Sequence, residues 1–290
     1  MFSYRHAFHA GNHADVLKHL ILIECINHLL KKDVGITFID THAGAGIYQI
    51  DQGYATVSKE SEAGIKRLRQ FADTHPVNSH AILDYLKTIQ KFNEDSELSI
   101  YPGSPALIGK KLRPQDNLKL FELHPSDIPL LESNIRALHI GRQTQIAAKD
   151  GFSGVKAFLP SPTRRACILI DPSYEDKRDY LHVIDCIKDG LKRLASGVFL
   201  IWYPYLSRID SQELPNKLKE VEIHGKPISW VHAELAVDSL AEDGLTASGM
   251  FIINPPWKLN ETLQEALPEL VEALENSPGS GGFKLNHFTP

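Results

Sequence analysis

Four apolar segments of this chain run into a carboxylate. Ile36–Asp40 ends in Asp40, LKLFEL at 118–123 carries Glu122, Gln143–Ala147 is followed by Asp150, and Ala166–Ile170 by Asp171. From Leu118 onward, strand-like segments alternate with helical periodicity at 126–138, from Asp150-Gly151 to Phe158, and at 180–194, before a further apolar strand at 197–203. This alternation predicts an α/β fold in which a mostly parallel sheet is covered by helices and ligands bind beyond the carboxyl ends of the strands. One acidic strand end is commonly a helix cap. Four of them, in phase and next to a glycine-rich loop, predict a site.

The loop is Phe38–Gly46, FIDTHAGAG. Small residues after a strand let a ligand lie against bare backbone, because each missing Cβ removes a clash and leaves amide N–H groups free to point at it. A Gly-Ala-Gly turn is also an ordinary strand-to-helix connection, so the neighbours decide. The dinucleotide fingerprint G-x-G-x-x-G needs a third glycine where Gln49 stands, and an acidic strand end about 20 residues on, where Lys59-Glu60-Ser61-Glu62 is merely polar. Asp40, ahead of the glycines, repels a pyrophosphate and suits a cofactor with a cationic amino group, such as S-adenosylmethionine.

The remaining chain bounds the reading. Its 290 residues, 42% hydrophobic and 23% charged, have the composition of a soluble globular protein, and we expect a single domain over 1–290. Cys25, Cys167 and Cys186 lack C-x-x-C spacing, which argues against disulfides and thiolate zinc. No signal-peptide core and no run of 18 apolar residues occur, so a cytoplasmic protein without membrane contact is expected. A net charge of −5 does not attract polyanions, and a nucleic-acid substrate would need a local basic patch.

The N-terminal arm carries Tyr4, Arg5, His6, His9 and His13; with His19 these histidines match no zinc signature, and no metal is expected. The arm is either flexible or closes over a ligand, where Tyr4 can stack and Arg5 and His6 can meet phosphate. An amphipathic helix follows over 14–31, with Leu17, Leu20, Ile21 and Ile26 on one face and Lys18 on another. The stretch from Asp40 to Glu122 far exceeds a βαβ unit of about 30 residues, so helices at 59–73 and 79–93 predict a helical insertion over about 53–100. Its Lys66, Arg67, Arg69, Lys87 and Lys91 can serve a substrate groove or simply the surface. Pro102-Gly103-Ser104-Pro105 reads as a turn feeding a helix capped by Ser104. Strands at 228–237 and 250–254, with no helix between them, predict an antiparallel pair at the sheet edge and seven strands in all. A helix at 259–276 follows, and 277–282 reads as a small flexible turn.

The acidic strand ends divide by reach. Glu122, after the second strand, is placed to accept both ribose hydroxyls as a bidentate pair. Asp150 with the Gly151 backbone suits the edge of an adenine ring, which leaves Asp171 for the reaction. Asp171-Pro172-Ser173-Tyr174 resembles the D-P-P-Y motif of amino-group methyltransferases. An arylamine lone pair is delocalised, and an Asp of pKa near 3.9 cannot deprotonate the amine beforehand. Asp171 and the Pro172 carbonyl can instead accept its two N–H groups and draw the lone pair out of the ring plane, while Tyr174 stacks on the base. Asn254-Pro255-Pro256-Trp257 fits the N-P-P-W form of the motif letter for letter. Asp171 is preferred because it ends the strand that follows Asp150, whereas Asn254 ends the last strand after the edge pair.

Nearly end to end, the chain resembles the large-subunit ribosomal RNA methyltransferase J family, through SYRHAFHAGNHADVLKH, DTHAGAG, YPGSP, ELHPSD, DGF, ILIDPSYE, WYP and TASGMFIINPPWKL. DPSYE in place of the family's DPPYE is the notable departure, and loss of the second proline frees one φ. The resemblance implies a Rossmann-like class I methyltransferase that methylates an adenine amino group of 23S ribosomal RNA with S-adenosylmethionine, acting as a monomer on protein-free RNA. It implies that His19, His42, Gly44, Ser104, Glu122, Asp150 and Gly151 bind the cofactor, that Asp171, Pro172 and Tyr174 form the catalytic loop, and that Tyr4, His6 and Lys18 meet the RNA. An adenine-N6 DNA methyltransferase and a cofactor-binding RNA chaperone disabled by Ser173 are the competing expectations.

Overall fold

The computed structural model describes residues 5–51, 59–93, 97–240 and 244–290. Tyr4 and the first residues of the expected insertion lie outside the described residues. Helix α1 (His13–Leu29) leads into strand β1 (Thr37–Asp40). A hairpin of β2 (Ile47–Gln49) and β3 (Ile100–Pro102) follows the glycine loop, and between its strands lie α2 (Arg67–Thr74) and α3 (His80–Gln90). After α4 (Ser104–Gly109) the alternation runs β4 (Asn117–Phe121), α5 (Asp127–Ala137), β5 (Thr144–Ala147), α6 (Gly151–Phe158), β6 (Ala166–Ile170), α7 (Asp179–Arg193) and β7 (Val198–Pro204). The chain closes with α8 (Ile209–Lys219), a small hairpin of β8 (Glu222–Ile223) and β9 (Lys226–Pro227), then β10 (Trp230–Ala236), β11 (Ala247–Ile253), α9 (Leu259–Leu274) and β12 (Gly282–Phe288).

Eight of these strands form one sheet in the order β12-β10-β11-β7-β6-β1-β4-β5. The five from β7 to β5 are parallel, and β11, β10 and β12 continue the sheet antiparallel. Parallel strands covered on both faces must be apolar throughout, and β6 (ACILI) is buried at every residue. Strand β1 sits between β4 and β6, so the chain winds outward from it in both directions. The crevice at its carboxyl end is therefore the switch point where open α/β sheets bind ligands.

The sequence predicts seven strands; β12 is an eighth and covers the edge that β10 would otherwise leave open. Helix α1 departs from the expected amphipathic pattern. It is buried on nearly every side, with Asp15, Lys18 and His19 inside as well as Leu17, Leu20 and Ile21. The reason is that α2 and α3 bring Leu68, Ile82, Tyr85 and Ile89 into the same apolar core, closing over the face of α1 that the sheet does not cover. Of the insertion's cations, Arg67 donates to the Leu274 and Glu275 carbonyls at 3.2 and 3.1 Å and Arg69 bonds Gln90, whereas Lys66 pairs with Glu62 at 2.7 Å on the surface and Lys87 and Lys91 are exposed.

Candidate active site

The four carboxylates reach the same edge of the sheet but not the same surroundings. Asp40 is fully buried, accepting the Ser104 hydroxyl at 2.6 Å and the His42 amide at 3.3 Å. The expectation that it faces a cationic cofactor is corrected: the strand pleat turns it behind the wall, where it holds the glycine loop to α4. Ser104 likewise does not cap α4, whose N-cap is Gly103; its hydroxyl is spent on Asp40. Glu122 accepts the Gly44 amide on Oε2 at 2.7 Å and the Leu123 and His124 amides on Oε1 at 2.7 and 2.6 Å. Asp150 caps α6, accepting from Phe152 at 3.2 Å and Ser153 at 2.9 Å. Asp171 takes the Lys18 ammonium on Oδ2 at 2.5 Å.

These groups surround a cavity of about 1220 Å³, lined by His19, His42, Gly44 and Ser104 on one side, by Glu122, Asp150 and Gly151 on another, and by His6, Lys18, Asp171 and Pro172 at its inner end. The glycines are required by contact. A Cβ on Gly151 would sit 2.0 Å from the Thr41 carbonyl oxygen, and one on Gly44, at φ +57, 2.2 Å from the Tyr48 hydroxyl. A second cavity of about 650 Å³ shares His6, Lys18 and Asp171 and extends past Tyr174, Trp202 and Arg208.

Burial sets the protonation of the walls. It pushes the His19 imidazole down to about 3 and that of His42 to about 4, so both rings are neutral. Tyr101 holds His19 Nδ1 at 2.7 Å, while His19 Nε2 is buried without a hydrogen-bond partner among the described residues, 4.0 Å from Asp15. Burial raises the Asp171 carboxyl above its usual range, against the opposing charge of Lys18. Asp171 Oδ1 and the Pro172 carbonyl accept no hydrogen bond from the described residues.

Tyr174 differs from its sequence expectation. At φ +55 it turns into the core, 2% exposed, donates its hydroxyl to the Trp202 carbonyl at 2.7 Å and lies 4.6 Å from the Tyr180 ring. It borders the second cavity, and its ring is not open for stacking in this conformation. Sequence reasoning also missed Phe152, 5.0 Å edge-on to His42, whose only signal is an aromatic directly after Asp150-Gly151. The arm is pinned from Arg5 on: Arg5 reaches Asp127 at 3.1 Å, His6 reaches Asp15 at 3.0 Å and His9 reaches Glu60 at 2.8 Å. Asn254 ends β11 at the opposite edge of the sheet, donating to the Ala195 and Gly197 carbonyls at 2.8 Å each, so the N-P-P-W sequence is a structural turn. Among the described residues no group of three His, Cys, Asp or Glu is arranged to hold a metal ion, and no helix is long and apolar enough to cross a membrane.

The family described as ribosomal RNA large subunit methyltransferase D, RlmJ, matches residues 33–289. The chain belongs to this family. A relative from Escherichia coli (strain K12) bearing the name ribosomal RNA large subunit methyltransferase J is 43% identical over the whole of both chains, and one of the same name from Haemophilus influenzae is 39% identical, again over both in full. A crystal structure of a protein from Legionella pneumophila is 32% identical, with a TM-score of 0.85 over 96% of this chain and 98% of that one. As a member of the family the chain is a methyltransferase of large-subunit ribosomal RNA. The cavity at the switch point, with its unpartnered acceptors at Asp171 and Pro172, is its candidate active site.

Proposed function

We propose that the chain transfers the methyl group of S-adenosylmethionine to the exocyclic N6 amine of an adenine in 23S ribosomal RNA, in the cytoplasm, as a monomer acting on protein-free RNA. In this reading the chain is one methyltransferase domain in which about 53–100 form a helical insertion. The observation that carries it is the pair of open acceptors, Asp171 Oδ1 and the Pro172 carbonyl, which match the two N–H donors of an exocyclic amine.

The larger cavity takes the methyl donor. His19 Nε2, buried and without a hydrogen-bond partner among the described residues, fits the carboxylate of an amino-acid moiety in the tautomer whose Nδ1 accepts the Tyr101 hydroxyl and whose Nε2 carries the proton. Three backbone amides occupy Glu122, and a carboxylate has about four lone-pair sites, so one stays available for a ribose hydroxyl. Asp150, the Gly151 backbone, His42 and Phe152 frame the adenine end, while Gly44 and Ser104 supply close-lying backbone and a short polar wall. Bound there, the donor supplies an electrophilic methyl on a sulfonium.

The acceptor base enters from the second cavity, which His6, Lys18 and Trp202 line and whose edge Tyr174 borders. Asp171 Oδ1 and the Pro172 carbonyl accept the amine N–H groups and turn the lone pair toward the methyl. With the donor in place, Asp171 would hold the amine as its nitrogen takes the methyl from the sulfonium, and would accept or pass to solvent the proton that the methylated amine sheds. Orientation is worth roughly 7–11 kcal/mol, more than the 10² to 10⁴-fold that proton handling supplies. Mapping of adenine methylation in 23S RNA from cells lacking this gene tests the reading. One adenine should lose its N6-methyl and regain it with the wild-type gene; an unchanged map would end the proposal.

A further inference from the structure

Asp15 belongs to none of the sequence-predicted site residues, yet more of the site converges on it than on any of them. Its carboxylate is buried in the first turn of α1, 2% exposed. Oδ2 accepts the Gly11 amide at 2.9 Å and His6 Nε2 at 3.0 Å, and Oδ1 takes the Lys18 ammonium at 2.8 Å. The same ammonium, 4% exposed, continues to Asp171 Oδ2 at 2.5 Å. The Lys18 ammonium and the hydrogen bond from His6 overcome the cost of burial and hold the Asp15 carboxyl well below the usual range, so it is ionised at neutral pH.

The consequence lies in the charge facing the acceptor. Methylation makes the amine nitrogen cationic until its proton leaves, so the group beside it works best with net negative charge fixed in place beforehand. Asp171 alone with Lys18 would be a neutral pair, presenting only a dipole. With Asp15 added, two carboxylates share one ammonium and the cluster keeps one negative charge. Between side chains this deeply buried, that difference is large.

We propose that Asp15 is a positioning residue for the transfer: it neutralises Lys18 from behind, so that Asp171 faces the acceptor amine with undiminished charge, and it ties the His6 arm to the same cluster. The proposal deepens the adenine-N6 reading above and rests on it. Asp15→Asn keeps the size of the side chain and an acceptor for Gly11 but removes the charge; Asp15→Glu keeps the charge and shifts it by one methylene.

The test is steady-state methyl transfer to 23S RNA by wild type, D15N and D15E, with S-adenosylmethionine affinity by calorimetry and thermal unfolding alongside. D15N should lose about 10²-fold in kcat, with KM for RNA and donor affinity within twofold of wild type, and D15E should retain more kcat than D15N. A purely structural role would move Tm and KM and leave kcat of the folded fraction alone. D15N within twofold of wild type in kcat, or D15E no better than D15N, overturns the proposal. Should D15N fail to fold, D15E decides: kcat within about tenfold of wild type with unmoved KM supports it, and a loss of about 10²-fold or more in the folded enzyme overturns it. Absence of transfer by wild type would instead remove the adenine-N6 reading itself.

Discussion

A carboxylate buried without a cation beside it carries its cost in its protonation, and Asp40 is that group. Burial raises its pKa from 3.8 to about 6, with the Ser104 hydroxyl and His42 amide only partly offsetting it. A folded-state pKa above the unfolded one gives stability that is fully present below about pH 4 and lost as pH rises through about 6. The difference corresponds to about 3 kcal/mol at 1.36 kcal/mol per pH unit. Denaturant unfolding of wild type and Asp40→Asn across pH 4 to 8 should show wild type losing ground to the variant by that order between about pH 4 and 6, then a constant difference. A difference that stays constant throughout would contradict it. Glu122, Asp150 and Asp171 were legible as neighbours around one cavity because strand ends in phase must share an edge. The direction of Asp40 depends on the pleat, and the role of Asp15 on a lysine whose second partner is 153 positions away, which no local pattern encodes.

At the scale of elements, the parallel half was legible because each strand is a continuous apolar run between helical repeats. Strand β12 was not: GFKLNHF is mostly exposed and is held by pairing with β10, where Lys284 reaches Glu234 at 3.0 Å, and by packing against α9. Nor was α8, whose IDSQELPNKLK has few apolar residues and an internal proline. Ending the chain at residue 281 should uncover the β10 edge, lower Tm by several degrees at about 2–4 °C per kcal/mol, and promote aggregation. Donor affinity should stay the same, since β12 and β5 are at opposite edges of the sheet with the cavity near β1; a loss of affinity measured by calorimetry would refute this. Asn254→Ala removes both side-chain bonds that pin the turn and should cost about 1–3 kcal/mol. Its methyl-transfer rate per folded molecule should match wild type.

For the whole molecule, a net charge of −5 and a polyanionic substrate are reconciled by where the cations stand. Arg67 ties the insertion to the end of α9 and Arg69 bonds Gln90 within it, while Lys18, Lys149, Lys177 and Arg208 line the two cavities at the switch point. The helical insertion packs over α1, the helix that carries the Asp15–Lys18 pair meeting Asp171. The central claim is that Asp171 at this site receives an adenine amine of ribosomal RNA. Deproteinised 23S RNA from cells lacking the gene, incubated with methyl-labelled S-adenosylmethionine and digested to nucleosides, tests it most directly. Wild type should yield labelled N6-methyladenosine, and Asp171→Ala should bind the donor and yield none. Label appearing only in duplex DNA, or an Asp171→Ala variant working at the wild-type rate, would contradict the account.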